Sequence, residues 1–250
     1  MVTTINTLEF NQQLKQDDNE KYLTELSQVI EIGLNNKYQE LYEKTDDYSW
    51  NLEDTIIKIL DIFNYDKQGQ VRYLAMGLIL ADAVFPTIKA YLINDKRPEK
   101  CFKLIKNFLN NQDIEKEIES LLLHDFKTKS EGCQALDEAL DVFRNLLKII
   151  NGNRVKEALL EIIDNCLEGY AIFPGSQNRR ELFNWWLLEV ITASWNLEIP
   201  KHLYTINGKI DYYFSSNKES KGQGAKGKGN FTEVAQLTTT KNLRLKRHRF

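Results

Sequence analysis

Residues 134–150 read QALDEALDVFRNLLKII, and Leu136, Ala139, Leu140, Phe143, Leu146, Leu147 and Ile150 recur at intervals of three, one, three, three, one and three. That spacing lays all seven on one face of an α-helix. Asn151-Gly152-Asn153 follows and supplies a residue that tolerates positive φ, the usual way to close a helix. Val155, Leu159, Ile162, Ile163, Cys166 and Tyr170 then form a second stripe. The pattern predicts two antiparallel helices joined by a tight turn.

The same period extends outward. Helices are predicted over Tyr22–Tyr42, Leu52–Phe63, Val71–Ile93 with a kink or restart at Pro86, and Pro98–Leu109, where Pro98 suits a first helical position. Short helical pieces are expected over Ile114–Leu123. A last helix, about Arg179–Trp195, follows the turn Phe173-Pro174-Gly175-Ser176 and is apolar around most of its circumference, so it should be buried on several sides. Helix pairs starting near 22, 71, 114 and 154 suggest a HEAT-like array of helical pairs, but no residue signature repeats with them. An irregular helical bundle buries the same stripes.

After Pro200 the period shortens to two. Leu203–Ile206 and Lys209–Phe214 flank Asn207-Gly208, a pair suited to a type I′ turn, so a β-hairpin is expected. An isolated hairpin is marginal in water and has to pack on something. SSNKESKGQGAKGKGN, 215–230, then reads as a flexible linker. The fold class is therefore mainly α: a helical domain over 1–198, a hairpin over 199–214 packed on it, and a Gly/Lys-rich linker and basic tail over 215–250.

With 250 residues, 42% hydrophobic and 28% charged, the chain can bury a sizeable core without disulfides or metals. Its net charge of -3 conceals a division. From Ser215 onward there are nine Lys/Arg against Glu219 and Glu233; that leaves 24 Lys/Arg against 34 Asp/Glu in the first 214 residues. An acidic body of net -10 carries an arm of net +7.

Cys101, Cys133 and Cys166 are 32 and 33 residues apart, with no CxxC pair, which argues against a disulfide framework and a zinc ribbon. The opening MVTTINTLEFNQQLKQDDNE has no basic start followed by an apolar run, and no uninterrupted apolar run approaches the roughly 20 residues of a membrane span. A cytoplasmic protein with no membrane partner is expected.

Most catalytic signatures lack their residues. Gly222-Gln223-Gly224-Ala225-Lys226-Gly227 is a literal GxGxxG, but no apolar strand precedes it and no helix pattern follows. Gly229 also stands where a Walker loop needs Ser or Thr. Glu157, Glu161, Asp164 and Glu168 share a helix face, yet no Glu-x-x-His unit accompanies them, so a solvated face is expected. Ser176 is not in a GxSxG elbow, and no cysteine has a histidine near it in sequence. Cys101 and Cys166 read as core thiols, Cys133 as the exposed one, and His124-Asp125 as a cap or surface pair. Trp50, Trp185, Trp186 and Trp195 read as core packing rather than a ligand groove. The expectation is no enzyme, no cofactor, no metal and no catalytic residue.

The terminal LRLKRHRF is the strongest candidate for function. Lys226, Lys228, Lys241, Arg244, Lys246, Arg247 and Arg249 are the candidate nucleic-acid or polyanion contacts: cations track a phosphate backbone while Phe250 or His248 stacks on a base. Docking of the tail on the acidic body itself, or a purely solubilising role, competes with that. Arg179 and Arg180 oppose the dipole at the start of their helix and are candidate contacts to an acidic protein partner or anion, although Glu181 beside them is a sufficient neighbour.

Val71-Arg72-Tyr73-Leu74-Ala75 to Val84-Phe85-Pro86, followed by Asp95-Lys96-Arg97-Pro98 and the helix through Leu109, resembles a segment of immunity proteins of bacterial polymorphic toxin systems. The shared pattern is an apolar helix ending in a Val-x-Pro-like element, then Asp-x-Arg-Pro opening the next helix. The resemblance implies a helical protein that neutralises a toxin by binding, with no catalytic residues to transfer. Asp-x-Arg-Pro is also good chemistry for starting any helix. The functional expectation is thus a binding or adaptor protein with a helical body and a basic arm; the alternatives are an immunity-type inhibitor and a helical enzyme whose site only folding assembles.

Overall fold

A computed structural model describes residues 20–41, 51–65, 67–126, 132–152, 154–168, 179–204 and 210–212. These residues are mainly α-helical. The chain divides into two compact units, Met1–Lys67 and Gln68–Phe250.

In the first unit, α1 spans 20–35, a 3-10 turn spans Gln39–Leu41, and α2 spans Leu52–Phe63. The single helix expected over Tyr22–Tyr42 is thus two pieces. The break comes at Asn35-Asn36, residues whose short amides compete with the helix ladder and favour its end. Asn51 starts α2, its Oδ1 accepting the Glu53 N–H at 2.9 Å. Glu53 and Asp54 place negative charge where the helix dipole favours it. Inside the unit, the Tyr38 hydroxyl lies 3.0 Å from Thr55 Oγ1, both fully buried, and Tyr22 stacks on Tyr65 with centroids 4.0 Å apart.

The second unit is built on α3, Gly69–Tyr91, which packs against α6 (Gln134–Ile150), α7 (Val155–Glu168) and α9 (Ile191–Asn196). Helix α4 (Arg97–Leu109) also packs on α6. Because α3 is enclosed, it has no broad polar face: Leu74, Met76, Leu78, Ile79, Leu80, Ala83, Val84 and Ile88 are all buried. Among the described residues it is the one helix long and apolar enough to cross a membrane, with 78% of that apolar stretch buried inside the fold. Asp82 interrupts the stretch, so the sequence shows no unbroken apolar run of that length. Of the kink or restart expected at Pro86, the restart does not occur: one helix runs through Pro86 to Tyr91.

Two close approaches fix the packing. Gly77 faces α6 and α7 so tightly that a Cβ would lie 2.9 Å from Leu146 Cδ1 and 3.4 Å from Ile149 Cδ1. Phe85, Phe102 and Phe143 meet edge-to-face, with centroids 6.0, 6.4 and 5.3 Å apart, joining α3, α4 and α6. Such rings add specific geometry to their large buried area. The α6–α7 turn is as the residues foretell: Gly152 has φ +75° and its N–H reaches the Ile149 carbonyl at 3.2 Å.

Two helical stretches widen to π geometry. Helix α5 (Glu115–Ser120) runs into Leu121–Asp125, and α8 (Arg179–Trp185) runs through Trp186–Val190 into α9. Helix α9 ends on Leu197 at φ +57°, a conformation that favours glycine, with the Glu198 N–H bonded back to the Ala193 carbonyl at 2.8 Å. Beyond it, β1 (His202–Tyr204) and β2 (Ile210–Tyr212) pair antiparallel, His202 opposite Tyr212. Asn207-Gly208 lies outside the described residues, as do 215–250.

Candidate functional site

The seven tail cations, Lys226, Lys228, Lys241, Arg244, Lys246, Arg247 and Arg249, lie outside the described residues, and so does the GxGxxG stretch. Arg179 and Arg180 open α8 and are half-buried. The Arg180 guanidinium lies 5.9 Å from the Phe183 ring centroid, one turn along the same helix, and Glu181 adds an acid in that turn. Arg180 therefore spends part of its charge on its own helix.

What the fold does assemble is a charged corner between α4 and its flanks. Asp95 Oδ1 accepts the Arg97 backbone N–H at 2.8 Å, while Oδ2 takes Arg97 Nε at 2.8 Å and Nη2 at 2.6 Å. This starts α4 just before Pro98 and locks the guanidinium in place, a charge-assisted pair of the stronger kind. Arg97 Nη1 reaches on to the Asp125 carbonyl at 3.4 Å, and Lys100 pairs with the Asp125 carboxylate at 2.6 Å. Lys89, from α3, donates to the Asp95 carbonyl at 2.8 Å and pairs with Glu99 at 2.7 Å.

The Asp95 side chain is only 6% exposed. Burial raises the cost of its charge, but the hydrogen bonds and charge of Arg97, aided by Lys89, outweigh it and hold the carboxyl below its ordinary 3.8. Three cations face three carboxylates here, so the corner neutralises itself and works as a clamp on the α3–α4 connection. Sequence reasoning found the helix start in Asp95-Lys96-Arg97-Pro98 but not the reach to Asp125, 28 residues away.

The other candidates resolve by exposure. Cys101 and Cys166 are buried, and burial pushes both thiols far above the ordinary range, with Glu138 adding to the effect on Cys166. The Cys101 thiol lies 3.7 Å from the Phe143 carbonyl. Cys133, at the start of α6, is the more accessible of the three. Glu157 and Glu161 are exposed, Glu157 approaching Arg154 at 3.5 Å. Among the described residues no group of three or more His, Cys, Asp or Glu could hold a metal ion. Trp185, Trp186 and Trp195 are buried, Trp186 stacking on Phe183 at 5.8 Å.

A second cluster was not foreseen. Trp185 Nε1 donates to the His202 carbonyl at 3.2 Å, and His202 Nδ1 lies 3.0 Å from Glu189 Oε1. The sequence signal was faint: a Trp and a Glu four apart on a helix face, and a lone His just after the following proline.

No family model, no curated protein and no solved structure matches this chain.

Proposed function

We propose that the protein is a non-catalytic binding protein: a helical body docks on a macromolecular partner, and the basic C-terminal arm engages nucleic acid or an acidic partner. The observation that carries this reading is the charge division, nine Lys/Arg against two Glu after residue 214 on a body of net -10. An acidic surface repels a phosphate backbone, so the attraction has to come from the arm. On this reading the body is an irregular bundle or a HEAT-like array, the strands around His202 and Tyr212 belong to a hairpin packed on it, and Arg179 and Arg180 contact the protein partner.

The test is binding of single-stranded RNA and DNA by the full chain and by a chain lacking residues 218–250, measured across salt. With about five phosphates neutralised, the log-log slope should be roughly -4 to -5 for the full chain. Unchanged binding after deletion, or none in the full chain, removes the nucleic-acid form of the proposal.

The second reading is a toxin-neutralising inhibitor of the immunity type, favoured by the segment from Val71 to Leu109. It expects a tight protein complex that survives removal of the tail. A pull-down with the tailless body separates the two.

A further inference from the structure

His202 is held at two points by a single stretch of helix. Trp185 Nε1 reaches its main-chain carbonyl at 3.2 Å, and Glu189 Oε1 meets its ring Nδ1 at 3.0 Å. Trp185 and Glu189 are four residues apart and so lie on one side of the helix, which widens between them at Trp186–Val190. The first bond uses the backbone, so any residue at 202 can keep it. The second exists only because 202 is a histidine and 189 a carboxylate.

His202 also opens β1, opposite Tyr212 of β2. Two three-residue strands are too small to hold their place unaided in water. The two bonds from the helix therefore help to set where this segment sits. The Glu189 and His202 side chains are 26% and 29% exposed, so water reaches their pairing and can compete for it. Trp185, by contrast, is 7% exposed.

We propose that Trp185, Glu189 and His202 form a two-point strap that seats β1 on the helix between Trp185 and Val190. The indole is the more buried point, and the carboxylate–imidazole pair is the one that water reaches. The strap seats β1 whatever ligand the tail takes, so it does not depend on the binding reading above.

Hydrogen exchange in the full chain tests it, followed in peptides covering 199–204 and 136–150. His202→Phe and Glu189→Leu should each speed exchange at 199–204 by about fivefold, the worth of one net hydrogen bond, and leave 136–150 unchanged. The His202→Phe/Glu189→Leu double variant should speed exchange by less than the product of the single effects, because both remove the shared contact. Trp185→Phe, which removes the indole donor, should multiply with either. The proposal is overturned by unchanged exchange at 199–204, by equal acceleration at 136–150, by multiplying effects of the first two changes, or by no added effect of the third.

Discussion

The guanidinium of Arg72 lies 4.1 Å from the centre of the Trp195 ring, and Arg72 is only 3% exposed. The two residues are 123 positions apart, and the contact ties the first turn of α3 to the last turn of α9. A cation over an indole face is worth about 2 kcal/mol or more when water is excluded, so this contact is a fastener of the second unit rather than ornament.

Arg72 and Trp195 should therefore be energetically coupled. Trp195→Leu removes the ring that receives the buried cation and should cost about 3–5 kcal/mol. In the Arg72→Met background the same change should cost about 1–2 kcal/mol less. Denaturant unfolding of the four chains measures this, and purely additive losses would refute the coupling.

Gly77 should tolerate one carbon and no more. Alanine gains about 1 kcal/mol of helix propensity, while its Cβ, 2.9 Å from Leu146 Cδ1, costs a comparable amount to accommodate. Gly77→Ala is expected to be within about 1 kcal/mol of the parent, whereas Gly77→Leu should lose about 3 kcal/mol or more by forcing α3 away from α6 and α7. Thermal melts of both variants check the contrast.

Asp95 makes stability depend on acid. Its folded carboxyl titrates below the unfolded value of 3.8, so its contribution is present above that pH and disappears as pH falls through the lower folded value. Asp95→Asn should destabilise by about 1–3 kcal/mol at neutral pH, having lost a charge-assisted pair. The gap to the parent should narrow once the pH drops below 3.8. A constant gap from neutral pH down to strong acid would show that Arg97 does not stabilise the charge.

The three thiols should differ in reactivity. Burial holds Cys101 and Cys166 in the protonated, unreactive form, whereas Cys133 is partly accessible. A thiol reagent at neutral pH should modify one group in the folded chain and three after denaturation. Cys133→Ser should abolish the native signal alone.

Local order was readable. The α6 stripe, Leu136 to Ile150, and the positive φ of Gly152 follow from spacing and one residue type, because both depend on neighbours a few positions away. The start of α4 at Asp95 and Arg97 is equally local. The break after Asn35 was missed because apolar residues resume at Tyr38 and Leu41 and imitate a continuing stripe. For the candidate site, the charge of the arm is plain in the sequence, whereas the strap at His202 is not.

The amino-acid order alone determined the helical class, the turn at Gly152 and the split between an acidic body and a basic arm, since periodicity, glycine's freedom and summed charge are properties of short stretches. Only the tertiary structure decided that α3 is the enclosed centre, that Arg97 reaches Asp125, that Arg72 covers Trp195 and that His202 is pinned to α8 and the turn after it. Each of these depends on which faces meet across 17 to 123 residues of chain. The energy that selects such meetings comes from burial shared among many side chains, so no single stretch carries it.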